Sequence, residues 1–143
     1  MTDLVLPKID KETISKKKYI FKNLSKLINP ENVLSHSDEV KPYETDALSA
    51  YKQTPLAVVM PESTQEVSSI LRFCFEENIK VVPRGAGTGL SGGALPLQDA
   101  ILLSLGKFNK ILEIDFKNKC VVTQPGVTNL AITHAVQHKG FYY

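Results

Sequence analysis

A chain of 143 residues with 43% hydrophobic and 22% charged residues is the size of one ordinary domain and holds enough apolar material for a core. Its formal net charge of +2, with the basic excess gathered near the start and no aromatic interleaving, argues against nucleic-acid binding. No apolar run approaches the roughly 18 residues needed to cross a bilayer, and nothing near Met1 resembles the apolar centre of a secretory signal, so a cytoplasmic location is expected.

In chain order, the first stretch sets Lys8, Lys11, Lys16, Lys17, Lys18, Lys22 and Lys26 against Asp3, Asp10 and Glu12. This reads as the solvated side of an amphipathic helix in preference to a membrane-surface helix, and it is too acidic and too poor in arginine for a transit peptide. The apolar side, Ile20, Leu24, Leu27 and Ile28, predicts a leading helix that stops near Asn29-Pro30, because proline restricts the residue before it. Residues 29–55 mix prolines, Asn32, Ser35 and Ser37 with little periodicity and predict a connecting arm with few regular elements.

From Leu56 to Met60 the sequence predicts a short apolar strand, followed by a helix capped by Ser63 with Glu66 at capping-box spacing. Val67, Ile70, Leu71 and Cys74 form its expected buried face, and Asn78 is placed to end it in the left-handed conformation. Lys80-Val81-Val82 is the next strand, which completes a βαβ unit. Three more strands follow at residues 100–105, 111–115 and 120–123, the last two pairing as a hairpin. Gln124-Pro125-Gly126 breaks the last of them, Thr128 caps a helix from Asn129 to about Gln137, and Gly140 stops it. A further strand is expected near Phe141-Tyr142-Tyr143. Cys74 and Cys120 lie in apolar segments and read as buried reduced thiols, while His36, His134 and His138 are too scattered to suggest a metal site.

The chemistry concentrates between the second and third strands. Five of the eight glycines fall in the nine residues from Gly85 to Gly93, within Pro83-Arg84-Gly85-Ala86-Gly87-Thr88-Gly89-Leu90-Ser91-Gly92-Gly93-Ala94-Leu95-Pro96. A simple reversing turn needs one or two glycines, whereas a run of uncovered amides can converge on a phosphate, with the Thr88 and Ser91 hydroxyls as further donors. Arg84 is one of two arginines among seventeen basic residues, and its planar fork suits an anion site. Gly87 to Gly92 matches the dinucleotide pattern Gly-x-Gly-x-x-Gly, but Gly93 and Pro96 interrupt the helix that a Rossmann loop must open. No lysine occurs between Lys80 and Lys107, which removes the P-loop. What remains is a strand, a multi-glycine nest and a return strand, an arrangement that suits a pyrophosphate and so a dinucleotide.

These residues resemble the FAD-linked oxidases of the PCMH type, the p-cresol methylhydroxylase and vanillyl-alcohol oxidase superfamily, with the flavin subunit of glycolate oxidase and the D-lactate dehydrogenases as the nearest branches. The resemblance rests on Tyr43 to Tyr51, Pro55 to Pro61, Pro83 to Pro96 and Gln124 to Val127, and runs from about residue 38 to the end. It implies an α+β fold, the N-terminal part of a PCMH/VAO-type FAD-binding domain: a leading helix and arm over 1–37, then a truncated FAD-binding domain over 38–143 with the βαβ unit, glycine loop and further short strands. By the same resemblance Arg84, Gly85, Ala86, Gly87, Thr88, Gly89, Ser91 and Gly92 wrap the FAD pyrophosphate, and Pro125 and Gly126 approach the flavin from a neighbouring strand end. Asp46, in the arm, either orients a neighbouring element or faces water.

The family continues into a second glycine-rich flavin segment, the rest of the FAD domain and a substrate-binding cap, none of which is recognised in this sequence, so no catalytic residue is assigned. Three expectations stay open. The chain is the FAD-binding portion of an oxidoreductase of a 2-hydroxy acid such as glycolate or D-lactate, or a remnant without catalysis and at most weak nucleotide binding, or a free-standing nucleotide-binding module. The resemblance further implies an iron–sulfur partner subunit and peripheral attachment to the inner membrane through partners.

Overall fold

A computed structural model of the chain describes residues 7–143. The leading helix is broken into α1 (Lys11–Ser15) and α2 (Lys17–Leu27), with Asp10 capping α1 by accepting the Glu12 N–H at 2.9 Å. Ile20 and Leu24 of α2, with Ile28 beyond it, are buried, and the helix gives way to extended backbone at Ile28, directly before Asn29-Pro30. The arm carries short helical turns, α3 (Ser37–Val40) among them, and one element that the sequence did not announce, the two-residue strand β1 (Val33–Leu34).

The remaining elements are β2 (Ala57–Val59), α4 (Thr64–Glu76), β3 (Lys80–Arg84), β4 (Ala100–Ser104), β5 (Ile111–Asp115), β6 (Cys120–Thr123) and α5 (Asn129–Val136). Ser63 accepts the Glu66 N–H at 3.2 Å, but the Glu66 carboxylate takes the N–H of Glu62 at 2.6 Å, so the reciprocal half of the box closes one residue early. Asn78 does adopt a left-handed conformation, with φ 54°. Thr128 caps α5 through the Ala131 N–H at 3.2 Å, and Gly140, φ 77°, ends the turn that follows.

The main sheet has the order β1-β2-β4-β3, with β1 antiparallel and the other three strands parallel. The βαβ unit is therefore present but opened, because β4 inserts between the strands that α4 connects. β4 does not reverse the direction of β3: it runs parallel to it in the register Lys80↔Ala100 to Arg84↔Ser104. Residues 85–99 thus form a crossover that carries the chain back to the start of the sheet, a connection parallel strands require. All five residues of β4 are buried, as expected for a central strand covered on both faces. α2 and α4 cover one face through Leu24, Ile70 and Cys74, while Val58 and Leu102 pack on Val40 of the arm at the other. β5 and β6 pair as the expected antiparallel hairpin, with a register shift at Glu113.

Three expectations are corrected. Leu71 is 43% exposed, because α4 rests on the sheet along Ile70 and Cys74 and its Leu71–Phe75 side points outward. Cys120 is exposed, since it opens a strand of the two-stranded sheet and not of the covered one. Residues 141–143 form no strand; the Tyr143 N–H and carbonyl both bond to the Thr133 hydroxyl at 3.2 Å.

Candidate functional site

The glycine segment leaves the C-terminal end of β3, the side of a parallel sheet on which ligands are bound in open α/β folds. Its start is fixed by backbone bonding: the Leu105 N–H, just beyond β4, donates to the Arg84 carbonyl at 2.8 Å. Beyond that point the loop's own donors are unused. Among the described residues, no N–H from Gly85 to Ala94 donates to a protein acceptor, and neither the Thr88 nor the Ser91 hydroxyl makes a protein hydrogen bond. Thr88, Gly89, Leu90 and Ser91 are exposed. A row of free backbone donors on an exposed crest is the geometry of an anion nest.

The glycines divide by what a side chain would meet. At Gly85, Gly89 and Gly93 an added Cβ has no neighbour within 4 Å, so these positions border open space above the loop. Gly87 and Gly92 hold φ of 73° and 74°, where any other residue is strained, and at Gly87 a Cβ would also collide with the Arg84 guanidinium.

Arg84 itself turns beneath the loop. Its guanidinium donates to the Thr45 carbonyl at 2.6 Å and lies 5.7 Å from the centroid of the Tyr43 ring, a cation–π distance. One step further along the arm, the Ala47 N–H donates to the Gly87 carbonyl at 2.8 Å. Between these two contacts sits Asp46, 5% exposed, with one carboxylate oxygen accepting the Leu48 N–H at 2.9 Å and the other, Oδ2, buried without a partner. Of the two roles the sequence left for Asp46, facing water is excluded. The arm contacts of Tyr43, Thr45 and Ala47 were not foreseen; the available signal was the Asp46-Ala47-Leu48 pattern, in which an aspartate bonds the backbone two residues on.

Pro125 and Gly126 lie at the same end of the sheet but touch protein. The Gly126 N–H donates to the Phe108 carbonyl at 2.7 Å, and a Cβ on Gly126 would lie 2.7 Å from the Leu105 and Phe108 carbonyl oxygens and 3.1 Å from that of Gly106. Glycine is required there by the 105–108 turn. Since Leu105 also anchors Arg84, that turn links the Gln124-Pro125-Gly126 segment to the root of the glycine loop.

Away from the site, burial pushes the Cys74 thiol up to about 11. Asp99, which is buried and for that reason alone would titrate high, is instead lowered by the Lys80 ammonium at 2.6 Å and the Asp10 N–H at 2.7 Å. Among the described residues no group of three or more His, Cys, Asp or Glu is arranged to hold a metal ion, and no helix is long and apolar enough to cross a membrane.

A family profile described as FAD binding domain matches residues 55–143, more than half of the chain. The chain belongs to the PCMH-type FAD-binding domain family. It is 48% identical over 111 residues to glycolate oxidase subunit GlcD of Escherichia coli K12, covering 78% of this chain and 22% of that protein. It is 32% identical over 120 residues to the D-2-hydroxyglutarate dehydrogenase of Stutzerimonas stutzeri, covering 84% and 26%. Among solved structures it superposes on substrate-bound p-cresol methylhydroxylase with a TM-score of 0.76 at 26% identity, covering 96% of this chain and 27% of that one. The chain thus spans about a quarter of the length of the relatives it matches. FAD is the cofactor of this PCMH-type domain. The site fits its diphosphate: the free donors from Gly85 to Ala94 and the side-chain-free openings at Gly85, Gly89 and Gly93 are what close approach of two linked phosphates requires.

Proposed function

We propose that this chain grips the pyrophosphate of FAD in an oxidoreductase that acts on a small 2-hydroxy acid, with glycolate as the first candidate and D-lactate and D-2-hydroxyglutarate as the others. The observation that carries the reading is the row of N–H groups from Gly85 to Ala94, unpaired among the described residues, at the C-terminal end of a parallel strand. When bound, FAD supplies the acceptor for a hydride from the hydroxyl-bearing carbon. The chain's own part is binding and orientation. The amides of Gly85, Ala86, Gly87, Thr88, Gly89, Ser91 and Gly92, with the Thr88 and Ser91 hydroxyls, hold the phosphate oxygens; Arg84 supplies positive charge beneath them; and Pro125 and Gly126 shape the adjoining turn. The similarity to a glycolate oxidase subunit supports the substrate class and operation alongside a partner subunit, the iron–sulfur type being the one proposed.

A second reading keeps the grip without turnover. It is favoured by the groups that the site brings together, backbone amides, two hydroxyls and the Arg84 guanidinium, which bind and orient an anion and carry no chemical step of their own.

The experiment substitutes valine at Gly85 and Gly89, where an added Cβ has no neighbour within 4 Å. Both variants are expected to melt as the parent does while losing FAD, read by flavin fluorescence during titration and by colour through gel filtration. Parent protein that binds no FAD, or variants that retain it unchanged, refute the assignment. Anaerobic bleaching of the yellow protein by glycolate, D-lactate or D-2-hydroxyglutarate then separates the oxidoreductase from the silent binder.

A further inference from the structure

Two groups of opposite sign, Arg84 and Asp46, lie on the contacts that join the arm to the glycine loop, and no ion pair joins them among the described residues. Arg84 has one N–H engaged, on the Thr45 carbonyl at 2.6 Å, and the next residue along, Asp46, keeps Oδ2 buried with no partner. Among the described residues no ion pair within 4.0 Å involves either one. A buried carboxylate oxygen left unbonded is costly, and it calls for a partner that a water, an ion or another state of the protein supplies. Both groups lie on the same clamp, bounded by Arg84 to Thr45 on one side and Ala47 to Gly87 on the other, so they flank the residue whose conformation shapes the amide row.

We propose that Arg84 and Asp46 form a strut that tightens when an anion seats on the glycine loop: Arg84 holds the arm and not the phosphate, and Asp46 is the residue that receives its remaining donors. The physical drive is desolvation. A ligand covering the loop expels water from the crest, and opposite charges attract more strongly as the local dielectric falls. The fork of arginine can hold a carbonyl and a carboxylate at once, which a lysine ammonium cannot do in the same plane. Both are positioning residues: the strut fixes Gly87 and with it the direction of the neighbouring N–H groups. This inference rests on the functional reading above, since it presupposes that the loop takes a phosphate ligand.

The test is a cycle of Arg84→Gln, Asp46→Asn and the double variant in the full chain, titrated with inorganic pyrophosphate and with FAD by amide NMR shifts of the loop glycines. Each single change is expected to weaken both probes about tenfold, and the double change to be no more than about threefold worse than either single one. In melting of the free protein the two changes are expected to add, because the pair closes only on binding. Arg84→Lys, which leaves position 46 untouched, is expected to lose as much affinity as Arg84→Gln. Recovery of pyrophosphate affinity by lysine makes Arg84 a direct phosphate contact and overturns the strut, as do additive losses of affinity. Coupling of equal size in the free protein reduces the pair to a structural role and overturns it as well. Parent protein that binds neither probe overturns the functional reading together with the strut, whereas parent binding with additive losses removes the strut alone.

Discussion

Gly126→Ala separates the two explanations for a glycine near the candidate site. If glycine were needed so that a ligand could approach, the free protein would tolerate a methyl group. The structure places that methyl 2.7 Å from the Leu105 and Phe108 carbonyl oxygens, where ordinary contact begins at 3.4 Å, so the backbone must open by about 0.7 Å. Opening by that amount lengthens the 2.7 Å bond from the Gly126 N–H to Phe108 to about 3.4 Å, past the roughly 3.2 Å limit of well-formed N–H···O bonds, and removes most of its strength. Losing one such bond costs about 1 kcal/mol, and forcing volume into a packed turn costs about 1–3 kcal/mol, for a total of about 2–4 kcal/mol. For a chain of this size about 3–4 °C of melting temperature corresponds to each kcal/mol, so thermal unfolding followed by circular dichroism should show a drop of about 6–16 °C without any ligand. Gly85→Ala is the matched control and should leave the melt within about 2 °C, because its Cβ meets nothing. A Gly126→Ala protein that melts with the parent would refute the packing of this turn on residues 105–108.

The two thiols should part cleanly: Cys120 is exposed and reacts with an aromatic disulfide reagent in the native protein, while Cys74, 1% exposed and with its thiol pushed up to about 11, reacts after unfolding. Two fast equivalents, or none, would contradict the placement of β6 and α4. Asp99, titrating below its unfolded value, contributes stability that is present above about pH 4 and is lost as the pH falls through its folded pKa. Asp99→Asn is therefore expected to destabilise by about 1–3 kcal/mol at pH 7, through the weakened Lys80 and Asp10 contacts, and to converge on the parent as the pH falls through the folded pKa of Asp99. A constant difference across that range in urea titrations would show that the carboxylate charge is irrelevant.

Local signals were legible where one segment decides its own structure. Ser63 at the start of α4, Asn78 at its end, Thr128 before α5 and the Asp115–Lys119 turn between β5 and β6 all depend on bonds to neighbours a few residues away. The glycine loop was legible for the same reason: its composition declares unused donors. Strand order was not, since nothing in Ala100 to Ser104 states that β4 lies between β2 and β3; that is set by packing a mostly apolar strand where both faces are covered. Leu71 shows the limit of periodicity, which finds a helical face but not its width. Gly126 is a glycine whose packing against the 105–108 carbonyls no local pattern states, and Arg84 a side chain whose neighbours, Tyr43 and Thr45, are some forty positions away in the sequence.

The inserted position of β4 also bears on how the chain folds. Its pairing with β3 spans 20 residues, Lys80 to Ala100, whereas its pairing with β2 spans 44, Ala57 to Ile101. Closure entropy favours the shorter loop by about 0.7 kcal/mol, so the β3–β4 ladder is the earlier one to nucleate and residues 85–99 become a closed ring before β2 docks. The glycine loop is thereby shaped by the most local parallel contact in the domain, and lengthening it would slow nucleation while barely altering the finished sheet.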